Sequence, residues 1–164
     1  MCSDEDPGAL PMVRQGELIS EIGGILVEEY GTEWVEMRLE RRTLGPWSQS
    51  QVYIERAPSD TVSCSVPMRA GGLLGELRKV MATPDGGAWY SMTLTIISDM
   101  RVVARFDYEN EPEWSGFGPA YNSFVRELER FPRSEEKLPA WFRPRMEQAR
   151  LEALEDEAIL AEDD

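Results

Sequence analysis

Four carboxylates fall within the nine residues Phe106-Asp107-Tyr108-Glu109-Asn110-Glu111-Pro112-Glu113-Trp114, at every second position from Asp107 to Glu113. Carboxylates at this density could hold a divalent cation through oxygen ligands, or divide into a general acid and a general base. Other chemistry is scarce. The chain has no histidine, which removes Ser-His-Asp and Cys-His nucleophile arrangements and histidine-based zinc sites. It has no Gly-x-x-x-x-Gly-Lys-Ser/Thr loop, and no Gly-x-Gly-x-x-Gly follows a strand pattern. Gly71-Gly72 and Gly86-Gly87 are single doublets of the kind found in turns.

The metal reading gains one further acidic group, Glu135-Glu136-Lys137, similar to the Glu-x-Lys of metal-dependent nucleases. Charge weighs against it, because a groove this acidic would repel a phosphate backbone. The expectation is therefore a protein that is not an enzyme, with no catalytic residue, no cofactor and no metal. Contact is the better use of the cluster. Asp107, Glu109, Glu111 and Glu113 are the candidate partner-binding acids. Trp114, between those acids and Ser115-Gly116-Phe117-Gly118-Pro119, is the candidate aromatic anchor. Phe106, Tyr108 and Trp141 are assigned to the core, where most aromatics go. The plainest alternative is a solvated acidic loop.

The whole chain carries the same sign. Thirty-one Asp and Glu against 17 Lys and Arg leave a formal charge of -14 over 164 residues. Nucleic acid and anionic membrane surfaces are poor partners for such a chain, since both are bound through cations. A basic protein is a good one, because opposite fields steer encounter. Two cysteines, Cys2 and Cys64, give no disulfide framework. The acidic start, Met1 to Asp6, is unlike a secretory signal, and no apolar run approaches the roughly 20 residues needed to span a bilayer. These features lead to an expectation of cytoplasmic residence.

The elements that must position the cluster follow from periodicity. Residues 1–12 read as a disordered acidic leader and residues 13–143 as a single α+β domain; residues 144–164 read as a polar, acidic C-terminal helix or tail. Leu18, Ile22, Ile25 and Leu26 share one helical stripe ending near Gly31. Val35, Met37 and Leu39, then Val52 and Ile54, then Val62, Cys64 and Val66 alternate as three strands of a meander. A second helix runs over about residues 69–82. Trp89–Ile97 and Arg101–Tyr108 form a hairpin across Ser98-Asp99-Met100. Its register pairs Ile96 with Val102, Leu94 with Ala104, Met92 with Phe106 and Tyr90 with Tyr108. Tyr121, Phe124, Val125 and Leu128 predict a third helix. A break at Pro144 precedes a last helix with a thin stripe of Leu151, Leu154 and Ala158. The expected fold is an antiparallel sheet of about five strands packed by helices, in the order α-β-β-β-α-β-β-α-α.

Three segments carry a family resemblance: the Asp107-to-Trp114 run, with its Asp-Tyr-x-x-x-Pro-x-Trp pattern; Leu128-Glu129-Arg130-Phe131-Pro132-Arg133; and Leu138-Pro139-Ala140-Trp141. Together they resemble the C-terminal half of the YezG-like family of bacterial immunity proteins, the antitoxins of polymorphic toxin systems. The likeness covers roughly residues 88–142. It implies a small cytoplasmic α+β protein that binds a cognate secreted toxin domain, a nuclease or an NAD-degrading enzyme, and occludes its active site. The chain departs from the family in its N-terminal leader, its Pro144 and its acidic C-terminal extension. An acidic adaptor that recognises a basic segment of another protein is the second reading, and a metal-dependent enzyme the third.

Overall fold

The computed structural model describes residues 9–162. Helix α1 (Ala9–Tyr30) precedes the strands β1 (Glu36–Leu44), β2 (Trp47–Ala57) and β3 (Asp60–Cys64). Helix α2 (Met68–Met81) leads to β4 (Ser91–Ile97) and β5 (Val102–Asp107). Helix α3 (Tyr121–Arg130), a 3-10 turn (Glu135–Lys137) and α4 (Phe142–Glu162) complete the chain. The five strands form one antiparallel sheet in the order β3-β2-β1-β4-β5, so the α+β class and the order of elements are as the periodicity implied.

Alternation decides which face of the sheet is dry. Met37 and Leu39 of β1, Val52 and Ile54 of β2, and Met92, Leu94 and Ile96 of β4 all lie under α1 and α2, nearly or fully buried. Leu18, Ile22 and Leu26 of α1 and Leu74 and Leu77 of α2 fill the layer above. Each such side chain contributes roughly 1.5–3 kcal/mol when fully buried, which is what holds two helices of modest propensity on the sheet. Gly23 rests against Val102 and Ile96, while Gly24 has no neighbour on its open side. Val35, grouped above with the buried face, precedes β1 and is half exposed.

The hairpin register is the predicted one from Ile96–Val102 to Met92–Phe106. It stops one step short of Tyr90–Tyr108: the ladder ends at Ser91–Asp107, and the Tyr90 amide donates to the Asp107 carbonyl. The two tyrosines then separate. Tyr108 packs on the main core and donates its hydroxyl to the Met81 carbonyl at 3.2 Å, whereas Tyr90 enters a second core.

That second core sits beyond the C-terminal end of β1. Leu44, Tyr90, Phe124, Phe142 and Ala149 form its centre, and Trp114, Tyr121, Leu138, Trp141 and Met146 surround them. The β1–β2 turn touches it through Gly45. This glycine has φ +56°, and any Cβ there would collide with the Ser123 carbonyl. Glycine is required on both counts.

Both expected domain limits move. Residues 9–12 of the supposed leader are the first turn of α1; residues 1–8 lie outside the described residues. Pro144 does not break the last helix. It occupies the first turn of α4, where its missing N–H is no loss. No boundary falls at residue 144 either, because Phe142 and Ala149 are buried in the second core. Leu151 and Leu154, too thin a stripe to dock firmly, are about half exposed; α4 docks through Phe142, Met146 and Ala149.

Candidate functional site

Between β5 and α3 the chain runs from Tyr108 to Ala120 without a helix or strand, and side chains fix its path. Asp107 closes β5 as an Asx turn. Its Oδ1 accepts the amides of Glu109 and Asn110, both at 2.9 Å, and its Oδ2 accepts Asn110 Nδ2 at 2.8 Å. Burial pulls this carboxyl upward, but the hydrogen bonds from Asn110 and Glu109 outweigh it and hold the group below the usual range. A carboxylate with its lone pairs so occupied is a folding device.

Further along, three side chains from β2 and the start of α4 tie the loop down. Trp141 Nε1, at the entry to α4, donates to the Glu109 carbonyl at 2.7 Å. Arg145 Nε on α4 donates to Glu111 at 2.6 Å. Gln49 of β2 grips Ser115 twice, accepting its amide at 2.8 Å and donating to its carbonyl at 2.7 Å. Pro112 and Pro119 are buried beneath the loop.

The five predicted contact residues therefore differ in what they leave free. Asp107 is committed to its turn and Glu111 to Arg145. The Glu109 carboxylate is 72% exposed, 4.0 Å from the Arg133 guanidinium. Glu113 is exposed and makes no hydrogen bond or ion pair among the described residues. Trp114, expected to be exposed, is half-buried against the second core, with Gly118 packed on its ring. The exposed aromatic of the loop is Phe117, at 90%. In the sequence this residue is hidden in a glycine-rich break, although an aromatic flanked by Gly116 and Gly118 has little local structure to cover it.

The segments of the family-like pattern meet here in space. Arg133, from the Phe-Pro-Arg step, keeps its side chain 2% exposed, donates to the Ala88 carbonyl at 2.8 Å and lies 4.5 Å from the Tyr90 ring centre. The Tyr90 and Trp141 rings contact edge to face at 5.0 Å. Phe106 and Tyr108 point into the main core, as alternation required, with Phe106 beside Trp89. The pattern thus builds the loop's support.

Below that support lies a pair that periodicity did not identify. Arg78 of α2 and Glu127 of α3 are both buried and meet through two bonds of 2.9 and 2.6 Å. Arg78 Nε also donates to the Trp89 carbonyl, and Glu127 also accepts the Gly45 amide at 2.6 Å. The guanidinium stacks 4.7 Å from the centre of Phe131. The only sequence signal was a charged residue beside a helical stripe: Arg78 next to Leu77, and Glu127 next to Leu128. With its polar atoms engaged, the pair joins α2, α3 and the β1–β2 turn.

Among the described residues no three acidic or thiol side chains converge as metal ligands would. Glu135 of the 3-10 turn pairs with Arg143, and Cys64 is half-buried against the main core. No helix among the described residues is long and apolar enough to cross a membrane. No protein-family model matches the chain, and no curated protein matches it at a significant level.

Proposed function

We propose that this is an immunity protein that binds a cognate secreted toxin domain in the cytoplasm and covers its cationic active-site cleft. A nuclease or NAD-degrading toxin must attract phosphates, so its cleft presents cations. An acidic protein can enter such a cleft as a polyanion mimic. The reading is supported most by the loop itself: the segment is fixed through Asp107, Glu109, Glu111 and Ser115, yet presents the Glu109 and Glu113 carboxylates and the Phe117 ring outward. A loop ordered before encounter avoids roughly 0.5–1.5 kcal/mol per side chain otherwise immobilised on binding. The net charge of -14 makes nucleic acid and anionic membrane unsuitable partners.

Within this reading the contact set is Glu109, Glu113 and Phe117. Asp107, Glu111 and Trp114 hold it in place. An acidic adaptor for a basic protein segment would use the same surface and would differ in what is encoded beside it. The test is co-expression with the product of the neighbouring gene. An immunity protein co-purifies with that product and protects cells that express it. Absence of both complex and protection would favour the adaptor.

A further inference from the structure

A groove of about 380 Å³ lies between the loop and α4. Trp114, Phe117, Tyr121 and Trp141 supply its aromatic lining. From α4, Glu152 and Asp156 face it one helical turn apart. We infer that this groove is a docking site for an arginine-bearing segment of a protein partner. The inference rests on the reading that the protein works by binding a cationic protein, and it assigns the surface and the side chain that surface takes.

Charge selects the class of occupant. Glu111, Glu152 and Asp156 stand against one cation, Arg145, which is already bonded to Glu111 and Gln148. Glu152 accepts from Gln148 at 3.0 Å, and Asp156 makes no hydrogen bond or ion pair among the described residues. A phosphate or carboxylate ligand would be repelled. A second copy of this chain, at -14, brings the wrong sign.

Shape and ring chemistry select arginine over lysine. A guanidinium is planar and weakly hydrated; it stacks on an aromatic face while its edge donates two bonds to a carboxylate. This protein uses that arrangement internally, with Arg78 over Phe131 while bonded to Glu127. The groove offers the same two components, aromatic rings and carboxylates, open to solvent. Glu152 and Asp156 are exposed and one helical turn apart, so replacing them does not disturb the core.

The test uses the full chain, the product of the neighbouring gene, and a terminally blocked peptide carrying two arginines between glycines. Binding is read by tryptophan emission, since Trp114 and Trp141 line the groove, and by calorimetry. The inference predicts that Glu152→Gln with Asp156→Asn, or Phe117→Ser alone, weakens binding of both ligands by about tenfold or more. It also predicts that the lysine version of the peptide binds more weakly than the arginine one. If the neighbouring product binds wild type and the Glu152→Gln, Asp156→Asn variant equally, the groove inference is overturned while the immunity reading, whose contact set includes neither acid, stands. If that product does not bind wild type but the arginine peptide binds in a groove-dependent way, the immunity reading is overturned and the groove stands. Failure of both ligands to bind overturns both.

Discussion

The indole N–H of Trp141 donates to the main-chain carbonyl of Glu109 at 2.7 Å, joining the start of α4 to a loop 32 residues earlier in the chain. That bond meets the loop where the Asp107 turn ends. It fixes the direction in which the following acids leave the sheet.

Trp141→Phe keeps an aromatic ring and removes this donor. A net hydrogen bond contributes roughly 0.5–1.5 kcal/mol, and the smaller ring gives up part of the contact with Tyr90, so the variant remains folded, with stability in denaturant lowered by at least about 1 kcal/mol. Amide exchange of Glu109 and Asn110, which donate to Asp107, rises, because the loop loses a tether. Unchanged exchange there would mean that Gln49 and Arg145 hold the loop without it.

The Arg78–Glu127 pair predicts a larger effect. Glu127→Gln leaves a buried guanidinium uncompensated, and breaking such a pair costs roughly 3–5 kcal/mol. Urea unfolding should show that loss. Replacing both partners with apolar residues of similar volume should recover much of it, which separates the burial of a lone charge from a need for the pair.

How much of this was legible follows from the range of each interaction. The β4–β5 register could be read because Met92, Leu94 and Ile96 must face the core, and a one-residue slip would expose all three. The helices were legible through Leu18, Ile22 and Leu26 and through Leu74 and Leu77. The partners of the acids were not. Glu111 meets Arg145 across 34 positions and Ser115 meets Gln49 across 66, and no local pattern encodes such pairings. Pro144 misled for a different reason: proline excludes the helix interior but suits the first turn, and the start of α4 at Phe142 was not visible in the periodicity.

Asp107 gives a dependence on pH. Its folded pKa lies below its ordinary value of 3.8. The stability it contributes is therefore fully present above 3.8 and is lost as pH falls through the folded value. Asp107→Asn removes this dependence. The stability gap between wild type and variant should stay constant from about pH 7 to pH 5 and narrow below 3.8. A gap that widens in acid would contradict the role given to the Asn110 and Glu109 amides.

Divalent cations provide a separate check on the acidic cluster. A ligand at about 100 times its Kd adds roughly 2.7 kcal/mol to the folded state, so at millimolar cation a site with a Kd of about ten micromolar is visible as a raised Tm. Millimolar Mg²⁺, Mn²⁺ or Ca²⁺ should leave the Tm unchanged. A rise abolished by Glu109→Gln or Glu113→Gln would return the cluster to metal chemistry.

The central claim is that the fixed acidic loop meets a cationic partner, and the association rate constant with the neighbouring gene's product tests it most directly. Steered association is fast and sensitive to salt, approaching roughly 10⁸–10⁹ M⁻¹s⁻¹ at low ionic strength against about 10⁵–10⁶ for uncharged encounters. The rate should fall steeply as salt shortens the Debye length from about 10 Å at 0.1 M to 3 Å at 1 M. Glu109→Gln with Glu113→Gln should reduce both the rate at low salt and the steepness of that fall. A wild-type rate independent of salt, or a variant indistinguishable from wild type at every salt concentration, would contradict the account.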